Sequence, residues 1–538
     1  MTALVIGPLL RHVGEHTATI WVETARPCEV RVTGDGVDAA APTFTVHGHH
    51  YALVEVGGLP AGARIPYEVA LDGERVWPEE STRFPPSALR TLDPGSGLAL
   101  SFGSCRRSPG TVEMYGVDVL SALAHGLTEG TAEWPDALLM VGDQVYADEI
   151  SDEMRQFVHA RRPAGQEPVD EIADYEDYTR LYALAWREDP AVRWLLSTLP
   201  TFMIFDDHDV RDDWNTSHTW RRQMWETSWW RDRIVGGIAS YWVYQHLGNL
   251  DPAERAGDAV YRAVREAAEK GEDAGALLDA FAERADKEPS SARWSYAHDW
   301  GGTRLVVVDS RCSRLLTPER RGMLDDEEFA WLDGRLQGGV DHLLVASSLP
   351  YLLAPTIHHA EAWNEAVAEG AWGRRAGTYG EKLRQGADLE HWGAFGASFE
   401  RVARDIVAVG RGERGAAPAT IAFLSGDVHY SYVARVTSPG TASEIVQLVC
   451  SPLRNPLPPS FRFAQRVGTM RGLAVIPRLL ARWAKVPRPP LKWRLTDGPW
   501  FDNAVATVRV DGRECRVQWD TPASETAVKR LAQVRVTG

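Results

Sequence analysis

The chain has 538 residues, more than one ordinary core accommodates, so two or three domains are expected. Apolar residues make up 44% and charged residues 25%, a globular rather than a disordered composition. The formal net charge of −16 opposes binding to nucleic acid backbones, and any site for an anionic phosphate must be made locally positive, a task for bound metal ions.

The N-terminal stretch has neither a basic leader followed by a long apolar core nor a run long enough to span a bilayer, so a cytoplasmic protein without a transmembrane segment is expected. Five scattered cysteines without a CxxC pair fit a reducing compartment. Residues 1–92 are expected to form an Fn3- or Ig-like β-sandwich. ATIWVE, CEVRV, YALVEV and YEVAL are short β-rich runs separated by Gly, Pro and Asp, and Asp72-Gly73 suits a tight hairpin. Thr91–Gly97 reads as a linker.

From residue 97 to 538 the pattern changes. Seven apolar runs recur, each ending in polar or reactive residues: LALSFGSC, DALLMVGD, TFMIFDD, RLVVVDSR, HLLVASS, IAFLSGDVH and IVQLVCS. Continuous apolar runs suit strands buried on both faces, and layered α/β folds carry their functional groups at the carboxyl ends of such strands. A helical insertion is expected at about 215–290, its later part resembling a solvated amphipathic pair. From Arg454 to Arg494, both included, there are ten Lys or Arg and no acid. This basic segment, about 455–495, reads as a flap packed on an acidic body, as a phosphate-attracting lid or as a membrane-surface contact.

Four run ends carry chemistry. Asp143 of GDQVY closes one run, where its two oxygens can bridge two cations, and the Tyr146 phenolate suits a ferric ion. In FDDHDVRDDW, acids crowd around His208, and such crowding is tolerable only if cations neutralise it. His208 is then available as a proton donor, with Asp209 expected to hold its other ring nitrogen. In LSGDVHY, Asp427 and His429 point the same way if the strand continues. Cys105 is followed by Arg106 and Arg107, which would stabilise a thiolate acting as nucleophile or metal ligand. The mixture of hard oxygens, one sulfur and one imidazole suits a multi-metal hydrolytic centre rather than a structural zinc site.

SFGSC, GDQVY, DDHD and SGDVH, in this order, resemble the alkaline phosphatase D (PhoD-like) family of the calcineurin-like metallophosphoesterases. The resemblance implies an α/β fold, a four-layer α/β/β/α core behind the N-terminal all-β sandwich. It implies hydrolysis of phosphate monoesters, diesters or both by a metal-activated water or oxide. It also implies one ferric ion and one or two calcium ions, with other divalent metals as substitutes. Carried over by motif, Cys105, Asp143, Tyr146 and His429 hold iron. Asp143, Asp207 and Asp427 hold calcium, with Asp213 as a further ligand. His208 protonates the leaving oxygen, assisted by Asp209, and Arg311 clamps phosphate. The chain departs from the family pattern in having Asp209 where Glu is frequent, acids at 212 and 213 where Asn is frequent, and no twin-arginine signal. The rival readings are a hydrolase using Cys105 as covalent nucleophile and a non-catalytic binding protein with structural metals. The basic segment extends the expected partners from phosphate esters to phospholipids or anionic polymers.

Overall fold

All seven apolar runs are strands in the computed structural model, which describes residues 3–317, 319–437, 440–468 and 473–537. They divide between two sheets. The first sheet has six strands, with the parallel trio Thr201–Ile204, Ala137–Val141 and Leu98–Gly103 continued by the antiparallel strands Val505–Asp511, Glu514–Ser524 and Ala527–Thr537. The second has seven, and its centre is the parallel set Thr303–Val307, His342–Ala346, Thr420–Ser425 and Glu444–Val449.

Residue alternation shows what each face touches. In the second sheet, Leu305, Val307, Leu344, Ala346, Ala422 and Leu424 join the core shared with the first sheet. Their neighbours Val306, Leu343, Val345, Ile421 and Phe423 join a separate core with the helices Asp326–Arg335 and Gly396–Gly410. A strand buried on both faces has no reason to alternate polar and apolar residues, which is why these runs read as continuous. Helix Val119–Glu129 packs on Glu514–Ser524 and Ala527–Thr537 of the first sheet, and helix Pro190–Thr198 packs on that helix and on Leu4–Val13. The result is the four-layer α/β/β/α core.

The N-terminal region holds two facing sheets, one of Leu4–Val13, Thr17–Thr24, His49–Gly57 and Phe44–Val46, the other built around Glu29–Gly34 and Arg64–Leu71. Asp72 and Gly73 both have positive φ, 49° and 87°, as a two-residue hairpin requires. The first of these sheets shares the main core with the rest of the chain through Ile6, Leu9, Trp21 and Tyr51. Arg11, fully buried, crosses this junction and donates to the Tyr244 and Gln245 carbonyls and to Asn249 Oδ1.

Residues 215–290 are largely helical. The pair Ala259–Glu269 and Gly275–Lys287 is anchored as well as solvated. Asp273 accepts from the backbone of His47 and Gly48 and Asp279 pairs with His47, and the second helix packs on Trp230–Tyr241. The basic segment contains two helices, Pro459–Gly468 and Val475–Trp483, while its Arg471 lies outside the described residues. No helix among the described residues is long and apolar enough to cross a membrane.

Candidate metal centre at the strand ends

The strands stop abruptly and the chain turns through left-handed backbone. Cys105, Asp143, Asp427 and His429 have φ of 56°, 55°, 66° and 55°. Asp and His enter this region more readily than most residues, but for Cys it is uncommon, and such backbone concentrates at functional sites. The turns hold one another. Cys105 N donates to Gly142 O, Asp427 N to Ser104 Oγ and His429 N to Ser451 Oγ. Two glycines make room for this. A Cβ on Gly426 would lie 1.9 Å from Ser104 Oγ, and one on Gly142, at φ +106°, would lie 2.7 Å from Asp206 Cβ. The strand containing IAFLS ends at Ser425, so Asp427 and His429 do not converge as alternate residues of a continuing strand. The turn aims His429 toward Cys105 and Asp143, and Asp427 toward His391.

Two groups of donor atoms result. In the first, one ligand atom each from Cys105, Asp143 and His429 lie within 4.8 Å of one another; in the second the same holds for Asp143, Asp206 and Asp207. Asp143 belongs to both. Tyr146 Oη is 3.5 Å from Asp143 Oδ2 and accepts from Asn455 Nδ2 at 3.1 Å. Asp143 Oδ1 and Asp206 Oδ2 are buried without a hydrogen-bond partner, and Asp207 Oδ1 faces the Arg311 guanidinium at 3.1 Å. Burial above all pushes the carboxyls of Asp143, Asp206 and Asp207 above their usual range; Arg311 or His208 opposes it, and neighbouring acids add to it. Buried oxygens crowded in this way are donors suited to hard cations, and the one sulfur and one imidazole are donors suited to a transition metal. Ser104 and Ser451 hydroxyls lie 3.1 and 3.2 Å from Cys105 Sγ, within hydrogen-bonding distance of the sulfur.

Asp213, also left-handed at φ 64°, is tied to Asp207 through its N–H. Burial, then Glu390 and Asp388, push its pKa up to about 9.

Three sequence expectations change. First, Asp209 does not touch the His208 ring. Its Oδ2 accepts from the backbone N–H of Asp143 and of Asp206, both at 2.9 Å, and its Oδ1 accepts from Gln245 in a π-helical turn. The partner of His208 Nδ1 is Asp148, with oxygens at 2.9 and 3.0 Å. Burial opposes the charged ring, but Asp148, with Asp143 and Asp207, outweighs it and holds His208 well above its ordinary pKa. Second, Arg311 is fully buried and engaged by Asp206, Asp207 and Glu390, which makes it an internal counter-ion. Third, among the described residues neither Arg106 nor Arg107 is turned to Cys105 as an activating cation. Arg106 pairs with Asp118 and donates to the Ala185 carbonyl, Arg107 pairs with Glu149, and burial, then Asp143 and Asp427, push the thiol pKa well up. That geometry opposes the covalent cysteine reading.

Sequence reasoning missed Asp148, His391, Glu361, Glu390 and Asn455. His391 bridges Asp427 at 2.9 Å and the buried Glu361 at 2.7 Å. Asp148, five residues beyond Asp143, and Asn455, next to Arg454, were within reach of motif inspection. His391 and Glu361 lie in helical and loop regions with no local signature.

The family model described as PhoD-like phosphatase matches residues 123–471, well over half the chain and every motif from Asp143 to His429. The chain belongs to the PhoD-like phosphatase family. As a PhoD-like phosphatase it is a hydrolase, and its Cys105 lies just ahead of the matched stretch. Residues 1–89 match a domain of unknown function, DUF7800. A solved structure of PhoD aligns with a TM-score of 0.59 at 12% identity, covering 99% of this chain and 93% of that one, which shows a shared fold. The purple acid phosphatase PPD1 from yellow lupin (Lupinus luteus) seeds aligns at TM-score 0.49 and 10% identity, covering 98% of this PhoD-like phosphatase and 74% of its own chain. No curated protein matches the sequence.

Proposed function

We propose that the strand-end cluster is a two-site metal centre that hydrolyses phosphate monoesters, diesters or both. The observation that carries this reading is Asp143. It is a buried carboxylate shared by two donor groups, with one oxygen lacking any protein partner. Cys105, Asp143, Tyr146 and His429 would hold iron; Asp143, Asp207, Asp427 and Asp213 would hold calcium. Bound cations would polarise the phosphoryl group and acidify a water molecule, the usual contributions of metal ions to ester hydrolysis.

The chain's own residues supply the rest. With Nδ1 held by Asp148, the His208 ring is fixed and its Nε2 is left to donate a proton to the leaving oxygen. Nε2 is 3.9 Å from Asp212, too far for a competing hydrogen bond. Arg311 sets a positive charge beside Asp206 and Asp207, which offsets part of the cost of ionising these buried carboxyls. Asp209 fixes the two strand ends from which Asp143 and Asp206 project.

The test is elemental analysis of purified protein, joined to turnover of aryl phosphate mono- and diesters. Iron with calcium, and turnover abolished together with the metals in Asp143→Ala, are expected. Full metal content in that variant removes the bridging role. A metal-free protein with undiminished turnover removes the reading.

A further inference from the structure

Helix Val475–Trp483 is inverted for a helix of a water-exposed surface. Val475, Ile476, Leu479 and Trp483 are 54%, 64%, 55% and 76% exposed, while Ala481 is its buried residue. At roughly 100° per residue these four side chains share an arc of about 100°, with Arg478 and Arg482 flanking it on one side. Trp483 contacts Trp372, itself 38% exposed, at 5.5 Å between ring centroids, and Trp372 contacts Trp363.

Beside this arc lies a cavity of about 290 Å³ whose lining includes Arg478, Arg482, Arg488 and Lys492 and no acid. Among the described residues no carboxylate lies within ion-pair distance of Arg478, Arg482 or Arg488. At the cavity wall His359 Nε2 accepts from Arg478 Nε at 3.3 Å. Burial, then Arg478 and Arg482, push that ring down to about pKa 4, so it stays neutral beside the cations.

We propose that this helix and cavity form a docking surface for an anionic lipid bilayer. The apolar arc enters the headgroup boundary, Trp483 and Trp372 sit at its level, and the cavity cations take lipid phosphates. Charge complementarity selects this occupant. The chain carries −16 overall, yet this segment has cations alone, so a second copy meeting the same patch would bring like charges together. The surface is independent of the catalytic reading.

The test is flotation of the full chain with vesicles of phosphatidylcholine alone and of phosphatidylcholine mixed with phosphatidylglycerol. Binding is expected to the mixed vesicles and to weaken as salt rises. The triple variant Ile476→Ser, Leu479→Ser, Trp483→Ser is expected to lower partition about tenfold or more, with unchanged turnover of a small aryl phosphate as the folding control. Arg478→Gln with Arg482→Gln is expected to remove most of the preference for anionic lipid. Equal partition of wild type and triple variant, or no wild-type binding to mixed vesicles, overturns the proposal. So does light scattering that finds a dimer which the triple variant makes monomeric, since the arc would then belong to a second copy.

Discussion

The sharpest consequence of the geometry is that Asp148 and Asp209 do different work, although both lie close to the motif histidine. Asp148→Asn keeps the shape of the side chain but removes the charge that holds His208 Nδ1 through oxygens at 2.9 and 3.0 Å. A hydrogen bond to a charged group is worth about 1.5–3 kcal/mol, which corresponds to roughly 10- to 100-fold in rate. General acid catalysis as a whole contributes about 10²–10⁴-fold, so the expected loss is partial. Asp209→Ala instead orphans the N–H groups of Asp143 and Asp206, at about 1–3 kcal/mol each. It should lower the melting temperature and release metal. The assay is turnover of an aryl and an alkyl phosphate ester, alongside metal content and thermal melting. Because an aryl leaving group needs little protonation, the Asp148→Asn loss should be larger for the alkyl ester, with metal content unchanged. Equal losses on both esters, or metal loss in Asp148→Asn, would refute the assignment of His208 and its partner.

Gly426→Ala places a methyl 1.9 Å from Ser104 Oγ, which accepts from Asp427 N and lies beside Cys105 Sγ. A cost of about 1–3 kcal/mol in melting experiments is expected, with weakened metal retention, and a variant with wild-type stability and metal content would contradict the close approach. Chelation should lower the melting temperature as well as turnover, because Asp143, Asp206 and Asp207 lose the ions that balance them, and added metal should restore both; unchanged melting would speak against bound cations in the folded state. Buried His246 and His298 have pKa values pushed down by burial to about 3 and about 4, below the ordinary value of 6.5. The unfolded chain therefore takes up their protons first, and stability present above about pH 6.5 is lost as pH falls, by about 2 kcal/mol each at about pH 5. A His246→Phe, His298→Phe variant with the wild-type acid dependence of melting would show that these rings do not carry it.

How far the sequence reached differs between elements. The run LALSFGSC reads as a buried strand because every residue of Leu98–Gly103 is buried, and continuity of apolar character is a local property. Which carboxylate serves His208 is not local. Asp209 is adjacent in sequence, but its place in the turn after Ile204 points it at backbone N–H groups, while Asp148 arrives from another strand end.

From the sequence alone follow the alternation of strands and reactive ends, the β-rich N-terminal stretch, and the residue types that call for metal ions. These depend on side-chain chemistry and on periods of a few residues. Only the tertiary structure decided that the polypeptide turns left-handed at Cys105, Asp143, Asp427 and His429, that Arg311 is used up by Asp206, Asp207 and Glu390, and that His391 and Glu361 support Asp427. Those are contacts between residues tens to hundreds of positions apart, and no local pattern encodes them. They exist because two sheets stack and bring their carboxyl ends to one hollow, where each buried charge must find an opposite charge or a donor.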